Sequence, residues 1–119
     1  MKKINLKQKF KLFNDHWNPK IITELNGQNV KLAKVKGDFV WHNHETEDEL
    51  FFVYKGTLTI EFRDKEVKLN EGEMIVVQKG VDHKPRAEKE VWLILFEPKN
   101  ILHTGGVKSK LTVENYKKI

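Results

Sequence analysis

Cysteine is absent from all 119 residues, which excludes disulfides and thiolate-ligated metal sites, and nothing marks the chain for an oxidising compartment. A reducing cytoplasm is the expected location. Arginine is scarce as well: Arg63 and Arg86 stand alone, and the lysines are scattered along the whole chain. The net charge of +5 therefore speaks for solubility and not for nucleic acid, since no basic cluster with interleaved aromatics stands out. Long apolar runs are missing too. The basic N-terminus "MKKINLKQKFKLF" spaces its apolar residues among lysines, so neither a signal peptide nor a membrane span is expected. There is no internal repeat and no low-complexity segment.

What is present, 39% hydrophobic and 33% charged residues over this length, fits one domain spanning residues 1–119. It divides into a helix and hairpin over 1–36, a strand-rich stretch over 37–97 and a tail over 98–119. Asn5 precedes "LKQKFKLF", which places Leu6, Phe10 and Phe13 on one side of a helical wheel and predicts a short helix capped by Asn5. Asn26-Gly27 between two alternating runs predicts a hairpin, because both residues tolerate positive φ. Strands are expected at 38–44, 49–55, 57–62, 66–69, 73–78 and 91–97, with a shorter one around His83. The gaps carry turn chemistry at Gly56, "RDKE", "LNEG", "QKGVD" and "AEKE". Many short strands joined by tight turns point to an antiparallel all-β sandwich or barrel. The tail is expected to wrap the outside.

The stretch "WHNHETEDE" (41–49) holds the chemistry. On a strand, residues i and i+2 share a face, so His42 and His44 present their imidazoles side by side, about 7 Å apart along the backbone. Glu49 opens the next strand and can supply a carboxylate, and His83 lies on a later strand that returns beside them. Imidazole nitrogens with one carboxylate suit Mn, Fe, Co, Ni or Zn, and the lack of thiolate argues against a closed structural zinc site. A solvated charge run containing histidines is the competing reading. Alternation places Val40, His42 and His44 on one face and Phe39 and Trp41 on the other, so neither face is purely polar. Histidines among apolar neighbours need partners.

The order "GDFVWHNHETEDELFFVYKG" resembles the first motif of the cupin family, G-x5-H-x-H-x3or4-E-x6-G, with Gly37, His42, His44, Glu49 and Gly56 in the matching places. "GEMIVVQKGVDHKPRA" is similar to the second, G-x5-P-x-G-x2-H-x3-N, through Gly72, Gly80 and His83. Gly37 sits one residue closer to His42 than the pattern asks, Gln78 replaces the proline and Ala87 replaces the asparagine. None of these is a ligand position. The resemblance implies a small antiparallel double-sheet jelly-roll barrel, with one divalent metal per chain bound by His42, His44, Glu49 and His83.

If Glu49 faces the lumen, Phe51 and Val53 share its face, and an apolar pocket lined by Phe51, Val53, Ile60 and Phe62 is expected. Either face of 91–96 can be the inward one. Leu50, Phe52 and Tyr54 then lie outside, which suggests a homodimer unless Leu6, Phe10, Phe13 and Trp17 cover that face within one chain. Glu45, Glu47 and Asp48 are candidates for a general base or for support of the metal, with solvated loop residues as the plainer reading. His16 and His103 are minor candidates. The family implies a metal-dependent enzyme acting on a small oxygenated molecule, by dioxygenase, isomerase or related chemistry. A non-catalytic metal or small-ligand binder is the alternative, and a structural barrel whose histidines pair with Glu49 and water is a third.

Overall fold

The computed structural model describes residues 1–99, 105–106, 109–113 and 115–119. A short helix α1 (Leu6–Phe10) is followed by β1 (Lys20–Leu25), β2 (Gln28–Asp38), β3 (Glu49–Lys55), β4 (Leu58–Phe62), β5 (Glu66–Leu69), β6 (Met74–Val77), β7 (His83–Pro98) and β8 (Lys117–Lys118). Asn5 caps α1 as its side chain predicts, accepting a hydrogen bond from the Gln8 amide at 2.9 Å. The β1–β2 hairpin turns at Asn26 and Gly27, with φ of 51° and 77°.

All eight strands belong to one sheet, in the order β5-β4-β7-β2-β1-β8, with β3 joining β7 to β6. Among the described residues its ladders do not close into a ring, and the sheet curls around one core. The spine is β7, whose 16 residues span what the sequence divides into two strands around an "AEKE" turn. That expectation is corrected. Val35 pairs with Val91 and Gly37 with Ala87, so a bulge opposite Lys36 absorbs the polar residues without ending the ladder. The first part of β7 lies beside β4 and the later part beside β3, while β2 follows its other edge.

Burial alternates along β7 through His83, Pro85 and Ala87, then Val91, Leu93, Leu95 and Glu97, which assigns Val91, Leu93 and Leu95 to the interior and Trp92, Ile94 and Phe96 to the outer face. The core adds Ala33 and Val35 from β2, Phe51 and Val53 from β3, and Leu58 and Ile60 from β4. A second cluster sits outside the sheet, where Phe10, Phe13 and Leu32 pack with Tyr54, Trp92, Ile94 and Ile119. The N-terminal segment thus covers part of the outer face within one chain. Trp17 instead joins the main core. Of the described tail residues, those of β8 add to β1 in parallel and Leu111 packs against the core. His103 lies outside the described residues.

The strand expected over 38–44 is also corrected. β2 ends at Asp38 and the chain continues without strand structure except for a bridge at His42. Alternation stops where Gly37 turns the backbone (φ 84°), so it does not carry Phe39 to the outside. Phe39 is buried and stacks on Trp17 at 4.5 Å. Trp41 is half-buried under the Arg63 guanidinium, 3.8 Å from its ring centre.

Gly56, between β3 and β4, adopts φ 93°, and a Cβ there would meet the Glu90 carbonyl oxygen at 3.0 Å and a Val91 methyl at 3.2 Å. Gly56→Ala is expected to cost about 2 kcal/mol from left-handed strain and backbone crowding, read as a lower urea midpoint. An unchanged midpoint would contradict this turn geometry.

Candidate metal centre

His42 and His83 are brought together by the main chain. Each donates its amide to the other's carbonyl, at 3.0 and 2.9 Å, in an isolated antiparallel bridge. The pairing places both imidazoles on one side, with ring centres 4.2 Å apart. His44 is tethered through its carbonyl, which accepts from the Gly80 amide at 2.8 Å. Glu49 is the first residue of β3, opposite Val77 of β6, so its side chain points inward ahead of Phe51 and Val53. All four residues are buried.

One ligand-type atom from each of His42, His44, Glu49 and His83 lies within 4.8 Å of the others. His44 Nε2 and His83 Nε2 each stand 3.6 Å from Glu49 Oε1, too far for a hydrogen bond. Two ligands held at about 2.1 Å from one ion stand roughly 3–4 Å apart, so 3.6 Å fits a shared ion and the widest pair needs only a small inward shift. His42 Nε2, His44 Nε2, His83 Nε2 and Glu49 Oε1 are buried without hydrogen-bond partners. Such atoms are costly unless something binds them. His42 Nδ1 lies 2.9 Å from the Val40 carbonyl, and His83 Nδ1 lies 2.9 Å from that of Val81. A carbonyl can only accept, so Nδ1 carries the proton and Nε2 presents its lone pair to the centre. The donor set, its burial and its tautomers all fit a transition metal.

Electrostatics agree. Burial first, and then the neighbouring His83, pushes the His42 imidazole down to about 4, against the Val40 carbonyl and Glu49, so it is neutral near pH 7 and able to ligate. Burial alone would raise Glu49; His44, His83 and Glu97 outweigh it and hold the carboxyl well below its usual range. The metal-free protein should therefore lose stability in acid. The folded His42 value lies below the unfolded one of 6.5, so the unfolded chain takes up this proton first and stability falls as pH drops from about 6.5 to about 4. The loss from His42 alone is about 3 kcal/mol, and Glu49, also depressed, adds in the same direction as pH falls further. Urea unfolding at pH 7 and pH 4.5 without metal checks this; equal midpoints would overturn it.

A small cavity of about 30 Å³ adjoins His42 and Glu49, walled by Phe51 and by Trp17, Pro19, Phe39, Pro85, Leu93 and Leu95 among others. One water needs about 10–15 Å³, so this space holds one or two. Of the other expected lining residues, Val53 and Ile60 are fully buried in the core, and Phe62 is partly buried against it, facing a separate surface hollow. Asp48 accepts from the Lys79 amide at 2.9 Å, and Glu45 is exposed, so neither reaches the ligand atoms. Glu47 bonds Thr46. His16 is 2.7 Å from Glu90, away from the centre.

Two fully buried charged residues escape the sequence reading. Lys31 and Glu97 are fully buried and pair at 2.8 Å, and burial first, then the Glu49 charge, raises the Glu97 carboxyl well above its usual range against the pull of Lys31. Each continues an alternating inward row, Ala33 and Val35 for Lys31 and Leu93 and Leu95 for Glu97. That alternation is the signal in the sequence, but it needs the inward face to be known.

A model of the cupin domain matches residues 29–105. A cupin-2 domain containing protein from Shewanella frigidimarina is 51% identical, covering 81% of this chain and 94% of that one, with a TM-score of 0.80. A Neisseria meningitidis protein of known structure is 37% identical, covering 82% of this chain and all of that one, with a TM-score of 0.75. The uncharacterised Bacillus subtilis protein YdbB is 40% identical over 67 residues, 56% of this chain; the chain spans 59% of the length of that curated relative.

Proposed function

Because this chain belongs to the cupin domain family, we propose that His42, His44, Glu49 and His83 hold one divalent transition metal (Mn, Fe, Co, Ni or Zn), and that the chain is a metal-dependent enzyme acting on a small oxygenated molecule. The observation that carries this reading is the convergence of four buried ligand atoms without partners, two of them on imidazoles whose other nitrogen is held by a carbonyl. Four protein ligands leave positions open on a metal of higher coordination number, and the bound ion supplies Lewis-acid or redox chemistry there. The chain's own part is to orient those ligands, exclude water and shape what enters. Among the described residues the cavity walls are apolar apart from the ligands, and no lysine or arginine lines them. A phosphorylated substrate does not suit them. Dioxygenase and isomerase chemistry both suit a metal whose ligand presents oxygen donors on a small apolar body.

One observation favours the alternative of a non-catalytic binder: among the described residues, the cavity lining holds no acid or base other than His42 and Glu49. Turnover of a metal-bound ligand separates the two readings. The jelly-roll barrel of a single cupin domain and a cytoplasmic setting, which the absence of cysteine suits, belong to the same proposal. So does a homodimer, supported by exposed Leu25, Met74 and Val76 around half-buried Leu50 and Phe96 on the outer face. Ultracentrifugation at micromolar concentration showing only monomer would sink that part. For the metal, tag-free protein should carry about one transition-metal ion per chain by elemental analysis. No bound metal, and no rise in melting temperature with Mn, Fe, Co, Ni or Zn, would overturn the reading.

A further inference from the structure

The buried ion pair beside the metal centre is unexplained by packing. The inward row of β7 runs Val91, Leu93, Leu95 and then Glu97, so a carboxylate stands where a fourth apolar residue would continue the core. Strand register fixes its neighbours. Leu50 pairs with Phe96 and Phe51 with Leu95, so one further step sets Glu49 of β3 beside Glu97, and on the other edge Asn29 of β2 pairs with Glu97 directly. Glu97 Oε1 accepts from Lys31 Nζ at 2.8 Å, and both side chains are fully buried. Its other oxygen, Oε2, is buried with no hydrogen-bond partner. The Lys31 ammonium in turn lies 3.7 Å from the centre of the Tyr116 ring.

Buried ion pairs seldom stabilise a fold more than apolar residues of equal volume, because desolvation offsets their attraction. The place of this pair is therefore informative: the register sets it next to the single carboxylate of the ligand set. Glu49 has three rotatable side-chain bonds, and metal affinity depends on its Oε1 staying turned toward His44 and His83. We propose that Glu97, held by Lys31, is a positioning residue that orients Glu49 for the metal. This rests on the metal reading above. Partners of ligating groups characteristically change metal affinity without touching the ion.

The test is a competition titration with Zn²⁺ on the full chain, together with the absorption spectrum of the Co²⁺-loaded protein. Glu97→Ala and Lys31→Met should each weaken Zn²⁺ binding by about 10–100-fold and shift the Co²⁺ bands, since the ligand field changes when Glu49 turns. Glu97→Gln, which keeps an oxygen for Lys31 and a polar group toward Glu49, should bind within about threefold of the unmodified chain. Leu69→Ala, a buried residue of β5, should lower the melting temperature yet leave affinity and spectrum unchanged. Wild-type affinity and spectrum in both Glu97→Ala and Lys31→Met would overturn the positioning role and leave the metal reading standing. If Glu97→Ala does not fold, Lys31→Met alone decides in the same way. No binding of Mn, Fe, Co, Ni or Zn by the unmodified chain would overturn both.

Discussion

Replacing His83 by alanine should reduce transition-metal affinity at least a hundredfold while leaving the fold intact. Structural zinc sites gain about 10–16 kcal/mol from roughly four ligands, so one ligand contributes about 3 kcal/mol, or more than two orders of magnitude. The fold survives because what ties residue 83 to residue 42 is a pair of main-chain hydrogen bonds that alanine keeps. Removing the ring also relieves one buried nitrogen without a partner. Melting curves show the effect directly. At a free metal concentration of about 100 times the wild-type Kd, binding stabilises the folded state by about 2.7 kcal/mol, roughly 10 °C for a chain of this size. His83→Ala should show almost none of that rise, and His16→Ala, whose ring pairs with Glu90, all of it. An undiminished rise in His83→Ala would remove His83 from the ligand set.

A second large effect is expected far from the candidate metal centre. Phe10→Ala should destabilise the protein by about 3–5 kcal/mol, lowering the melting temperature by roughly 12–20 °C. Phe10 is fully buried and stacks on Trp92 at 4.8 Å, with Tyr54 at 5.1 Å and Phe13 at 6.1 Å. The 5-residue helix that carries it is too short to persist alone, so this docking is what holds the N-terminal segment on the sheet. Truncation uncovers Leu32, Tyr54 and Trp92 together. Metal affinity should be unchanged, because this cluster lies on the opposite face of the sheet from the ligands. A loss below about 1 kcal/mol by urea unfolding would show that the helix is not docked in this way.

Local chemistry was legible where it acts over a few residues. Asn5 announces a cap and Asn26-Gly27 a hairpin because each bonds or bends within its own turn. The types and spacing of His42, His44, Glu49 and His83 marked them as one candidate set, and the structure brings the four together. Alternation along a strand is not what brings His42 and His44 together: residues 39–48 form no strand, and the bridge to His83 places His42. Phe39 departs from alternation for the same cause, since two faces can be told apart only while the backbone stays extended.

Residue type and short spacing dictate the β-rich class, the chain's caps and turns, and which side chains are candidate metal ligands. Long-range packing sets that Val91, Leu93 and Leu95 face inward, that β7 continues through "AEKE", and that Lys31 and Glu97 pair next to Glu49 in the register. Alternation divides a strand into two faces without saying which is inside. That choice is made by the register between β2, β3 and β7, whose contacting residues lie too far apart in the chain for any local pattern to pair them.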